Sequence, residues 1–212
     1  MKKKLSYLTL FAISFAFVIG VTVYYFRLHF YAPQFSFPIN WKEGLPFYTL
    51  FGRQLASLMV IFLLAWLSGK NLKQKIAAFL YVFGVWDIFY YLSLYIICRW
   101  PNSFLTNDLL FVIPLPWTGP VLAPMVVSLV LISLGVTLFF LDKKSMQLNS
   151  PFILWVFEIV SGGFIVLSFL WNFQAVYQGE VPTPFPWFLF ISGLILGIGS
   201  FGYSVLRTYT SE

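Results

Sequence analysis

Apolar residues run along this chain in unbroken stretches about 20 residues long rather than alternating with polar ones every two or three to four positions. A stretch of that length matches the thickness of a bilayer. The first covers residues 5–26 and the second 46–69, interrupted by Arg53. The third, 76–98, is interrupted by Asp87. Residues 109–141 carry no charge but are too long for one upright helix, and Pro114, Pro116, Pro120 and Pro124 break their first half. The pattern therefore predicts a fourth span at 121–141, preceded by a short interfacial or re-entrant helix near 106–112. Thr106, Asn107 and Asp108 have the composition of a helix start. A fifth span follows at 151–171, with Glu158 inside it, and a sixth at 186–206. The fold class expected is all-α: a polytopic bundle of six transmembrane helices in one domain, with outer loops rich in proline and aromatic residues.

Lys2, Lys3 and Lys4 ahead of the first run have the look of a signal peptide's basic start. The run ends in Val23, Tyr24, Tyr25, Phe26 and Arg27 rather than in small residues, so it is expected to remain as the first span. Six spans place both termini on one side. Lys2, Lys3, Lys4, Lys70, Lys73, Lys75, Lys143, Lys144 and Arg207 then share that side, against Arg27, Lys42, Arg53 and Arg99 on the other. Under the positive-inside rule this predicts cytoplasmic N- and C-termini. Of the 12 prolines, every one but Pro151 falls on or near the outer side.

Composition agrees with the pattern and narrows the chemistry. Of 212 residues, 60% are hydrophobic, 22% aromatic and 9% charged, against about 45–50% apolar and about 25% charged in an average soluble domain. The lipid bilayer is the first partner this implies. The net charge of +6 sits at the span ends, which argues for membrane orientation and against nucleic acid. One cysteine, Cys98, and one histidine, His29, exclude an intrachain disulfide, a cysteine-based metal cluster and bis-histidine haem. No phosphate loop, H-E-x-x-H or G-x-S-x-G occurs. No metal and no cofactor is expected.

Charged groups within spans are costly and mark where to look for function. Arg53, Asp87 and Glu158 are the three, and Glu158 also reads as a carboxyl that reaches a serine, a backbone group or water on the inner side. Arg53 and Asp87 read as a structural ion pair, as a ligand-binding or proton-handling pair, or as an arginine snorkelling to the outer headgroups that leaves Asp87 protonated and hydrogen-bonded. Tyr90 and Tyr91 lie three and four residues beyond Asp87 and share its helical face. An aromatic box with a single anion suits a cation or a planar hydroxylated ligand. Asp108 reads as a helix cap, or as closing an outer cleft with Arg99 and Arg53. Trp117, set in the proline-rich run, is held at a fixed depth. The candidate ligand-binding set is thus Asp87, Arg53, Tyr90, Tyr91, Glu158, Asp108, Arg99 and Trp117, with loops 27–46, 99–120 and 172–186 folding over it.

Residues 86–91 (WDIFYY) and 100–124 (WPNSFLTNDLLFVIPLPWTGPVLAP) resemble a group of small, uncharacterised bacterial polytopic proteins. The resemblance implies an inner-membrane location and lends no function. In size, in six spans and in Ala12-xxx-Ala16, the chain is also similar to the substrate-binding subunits of energy-coupling-factor vitamin transporters, where such a motif docks a membrane partner. The tryptophan-rich sensory proteins share the aromatic richness but have five spans and different Trp-Pro patterns. The reading expected from the residues is recognition or movement of a small, partly apolar molecule or lipid at an outward-facing aromatic site. The alternatives are an enzyme acting on a lipid-soluble substrate through Asp87 or Glu158, and a non-catalytic accessory subunit bound to a membrane-protein partner.

Overall fold

A computed structural model describes residues 2–30, 35, 37 and 45–210. Among these residues, six helices are long and apolar enough to cross a membrane. They are α1 (Lys2–Phe30), α2 (Leu45–Ser68), α3 (Leu72–Cys98), α4 (Leu122–Lys143), α5 (Phe152–Leu170) and α7 (Trp187–Thr210), with a short α6 (Phe173–Tyr177) before the last. Each coincides with an expected span, and α1, α3 and α7 extend it by one turn. The chain is an integral membrane protein built as a helical bundle. Lys4 Nζ donates to Gln74 Oε1 (3.1 Å), and Lys144 lies 5.3 Å over the Tyr209 ring. Both ends of the described chain therefore meet at one end of the bundle.

Helix α3 is the hub, with α1, α2 and α4 packed on it, while α5 pairs with α7. Lipid tails are as apolar as leucine, so helices associate in a bilayer where small residues let backbones approach. That is what these contacts contain. Ala12 and Ala16 of α1 are wholly buried in one core cluster with Ala77, Ala78 and Val82 of α3. A Cβ on Gly84 would come within 2.5 Å of the Ser128 carbonyl, and one on Gly135 within 2.7 Å of the Ala77 carbonyl. On α5 and α7, Ser161 Oγ donates to the Gly193 carbonyl at 2.8 Å. Large side chains such as Leu67, Phe152 and Ile159 point outward instead, 74–82% exposed. The Ala12-xxx-Ala16 seam is spent inside the monomer, so it is not a free docking face.

The nine cations grouped by sequence lie at or beside the helix ends where the termini meet. Asn71 caps α3 by accepting from Gln74 N at 2.8 Å. Asp142 at the end of α4 accepts from both Asn71 Nδ2 (2.8 Å) and Gln74 Nε2 (2.7 Å). This end is tied together by short polar loops.

The opposite end differs from expectation. Residues 106–112 form no helix: β1 (Asn107–Phe111) pairs antiparallel with β2 (Trp117–Pro120), with Asp108 opposite Gly119 and Leu109 opposite Thr118. Only a handful of residues separate Asn107 from Pro114, too few for a stable helix, and proline pushes the residue before it into extended geometry. A lone hairpin near hydrocarbon leaves a strand edge unpaired, which membranes do not tolerate. Gln54 of α2 closes that edge. Its Nε2 donates to the Leu110 carbonyl (3.1 Å) and its Oε1 accepts from Val112 N (2.9 Å), as a neighbouring strand would. Asn172 does the same for the later loop, donating to the Thr183 carbonyl (3.1 Å) and accepting from its N–H (3.0 Å).

Candidate functional site

Beneath the hairpin lies a cavity of about 330 Å³. Helices α1 to α5 form its walls, and β1 and β2 its roof. It exists because α5 packs closely on α7 and on β2 but not along α3 or α4, leaving a gap at the height of Asp87. Gly162 of α5 lines the gap, and an added Cβ there would meet nothing within 4 Å.

Six of the residues nominated by sequence face this space: Asp87, Arg53, Tyr90, Tyr91, Asp108 and Trp117. Two do not. Arg99 ends α3 in a left-handed conformation (φ 58°), exposed, with its guanidinium 5.5 Å over Tyr95. Glu158 faces α7, where Ser200 Oγ donates to it at 2.5 Å. Cys98 bonds back to the Leu94 carbonyl (3.2 Å) and stands apart from the cavity. Much of loop 27–46, including Tyr31, Trp41 and Lys42, lies outside the described residues. Loop 99–120 supplies the roof, whereas Phe185 of loop 172–186 packs 5.7 Å from Phe169, behind the wall.

The charged groups pair differently from expectation. Asp108 is neither a helix cap nor joined to Arg99 and Arg53. Its partner is Arg27, which continues α1 past the expected span end and is buried: Arg27 Nη2 donates to Asp108 Oδ1 at 2.7 Å. Tyr91 Oη donates to Asp108 Oδ2 (3.3 Å), and Leu109 N to Oδ1 (2.9 Å). Phe35 and Trp100 cover the guanidinium at 4.8 and 5.6 Å. Both Asp108 oxygens are thus bonded.

Asp87 is not bridged to Arg53: among the described residues the one ion pair is Arg27 with Asp108. Ser128 Oγ of α4 donates to Asp87 Oδ2 at 2.8 Å, and Oδ1 has no hydrogen-bond partner among the described residues. Around this carboxyl, Trp86 stacks on Tyr90 (6.3 Å between centroids) and meets Phe83 at 5.6 Å. Trp117 stacks on Phe169 at 6.2 Å, closing the α5 side. The buried indole N–H groups of Trp86 and Trp117 have no acceptor among the described residues.

Three residues central to this geometry escaped the sequence reading: Arg27, Gln54 and Ser128. Gln54 carried a usable signal, as the sole side-chain amide in α2. Arg27 looked like an ordinary span-end anchor, and Ser128 like one of many serines that bond their own helix.

The features together define a class: a six-span membrane protein enclosing an aromatic-walled cavity with one half-satisfied carboxyl. Compared with family models, curated proteins and solved structures, the chain matches none of them. Its function is therefore read from the site's own chemistry.

Proposed function

We propose that the protein recognises or moves a small, partly apolar molecule or lipid through this cavity, from the outer side of a bacterial inner membrane. The observation that carries the reading is the cavity itself. It has the size of a small-molecule site, at the lower end of the usual range of about 300–1,000 Å³, and apolar walls with few polar groups converging on it. Asp87, with Ser128, is its polar anchor. The orientation rests on charge: nine of the 13 Lys and Arg residues belong to the end where the termini meet, so the hairpin end faces outward. The catalytic alternative draws less support, because Glu158 is turned toward α7 and does not share the cavity with Asp87.

The test is purification in a mild detergent, followed by mass spectrometry of what copurifies. A cavity-filling variant, Gly162→Leu, serves as the control. A species enriched with the wild type and depleted at least tenfold in the variant is the expected result. Identical small-molecule content in both would overturn the proposal. Orientation is checked by labelling single cysteines placed at Lys73 or Lys144, after Cys98 is replaced by serine. Modification of either by an impermeant reagent from outside intact cells would reverse the topology.

A further inference from the structure

Recognition in the cavity, on which this inference rests, leaves the charge of the ligand undetermined. Asp87 is 8% exposed and sits mid-helix in α3. A carboxylate at that depth needs an opposing charge or a full set of hydrogen bonds, and among the described residues it receives one bond, from Ser128. The cation nearest the roof is already committed, since Arg27 is bound to Asp108. No ion pair joins Arg53 to Asp87. The free oxygen, Oδ1, belongs to a carboxyl that lines the cavity, flanked by the rings of Phe83, Trp86 and Tyr90. Aromatic faces carry negative quadrupole potential and attract a cation as the carboxylate does. A planar hydroxylated ligand would fill the same space, but it would leave the charge at Asp87 unmatched.

We infer that the cavity takes an amphiphilic amine. Its ammonium N–H groups donate to Asp87 Oδ1, and its apolar body lies between the α3 aromatic rings and the α5 wall at Gly162. The ammonium supplies the charge that the fold does not give Asp87, while Ser128 holds the other oxygen and fixes the carboxyl's orientation.

Three probes with one skeleton and different charges test this: 2-(1-naphthyl)ethylamine, 2-(1-naphthyl)ethanol and 1-naphthylacetate. They are titrated at pH 7 into the full chain in phosphatidylcholine nanodiscs, with empty nanodiscs subtracted. The amine is expected to bind at least tenfold tighter than the alcohol, and the acetate weakest. Asp87→Asn, which keeps an acceptor for Ser128, is expected to abolish the preference for the amine while retaining the alcohol. Gly162→Leu is expected to remove all three. Equal binding of amine and alcohol, both lost in Gly162→Leu, would overturn the amine assignment and leave the recognition site standing. Tightest binding by the acetate would do the same, in favour of the arginines. No Gly162-dependent binding by any probe would count against the recognition reading and this inference together. If Asp87→Asn does not assemble, the amine-to-alcohol ratio in the wild type decides alone.

Discussion

Two aspartates line the same cavity, one in its roof and one deeper in its α3 wall, and they are treated in opposite ways. Asp108 accepts from Arg27, Tyr91 and its neighbouring backbone N–H. Among the described residues, Asp87 accepts from Ser128 alone. Both are buried, so burial does not separate them; saturation does. A buried group whose bonds are complete is explained by the fold, whereas one left incomplete asks for something from outside it. The roof is structural, and the open carboxyl below it is where the proposed ligand would add what the fold withholds.

Several substitutions would break or sharpen this contrast, beginning with the roof. Arg27→Met strands a buried carboxylate, and losing one partner of such a pair typically costs about 3–5 kcal/mol. Reversible unfolding in detergent should register it, and adding Asp108→Leu should restore a good part. An unchanged unfolding midpoint in Arg27→Met would mean the pair is not structural. Gln54→Leu removes the surrogate strand and leaves the Leu110 carbonyl and Val112 N–H without partners. At about 1–3 kcal/mol for each of the two unsatisfied groups, destabilisation of about 2–6 kcal/mol is expected. Faster hydrogen exchange should be confined to the hairpin. Gly84→Ala forces α3 and α4 apart at the Ser128 carbonyl, an overpacking that costs about 1–3 kcal/mol, and it should disturb Asp87 by moving Ser128.

Below the roof the expected changes in stability are small and those in binding large. Asp87→Asn keeps the Ser128 bond and removes an unmatched charge, so stability should hold or rise, while selectivity for the amine disappears. A collapse in stability would show that Asp87 is as structural as Asp108. Gly162→Leu should be the mildest of all. It places a better helix former in open space and should raise stability by a few tenths to about 1 kcal/mol, while abolishing binding.

How much of this was legible from sequence follows from what each signal depends on. The six helices were, because a run of about 20 apolar residues is a local property set by membrane thickness. The close seams at Ala12, Ala16 and Gly193 were also visible, since small residues announce close packing. The hairpin was not. Thr106, Asn107 and Asp108 satisfy the local rules for a helix start, and the strand is favoured only because Gln54, more than 50 positions earlier, supplies its missing edge. Asp87, Tyr90 and Tyr91 were found because helical spacing predicts a shared face. The partnership of Arg27 with Asp108 was not, since it depends on how far α1 rises and how deep the hairpin sits. Glu158 was nominated for being charged within a span, yet it is drawn to Ser200 by the phase of α7 against α5.

Strand β2 touches both α4 and α5, which do not pack closely along each other, and Gly119 abuts Phe169 of α5. In building terms the hairpin is a spacer. The small-residue seams join α1, α3 and α4 on one side and α5 and α7 on the other, and the inserted ribbon bridges the two groups. The void is thus a property of a loop fourteen residues from Asn107 to Pro120, not of the helices that line it. Shortening that loop would let α5 settle onto α3 and α4, exchanging a container for a sturdier but empty-handed scaffold.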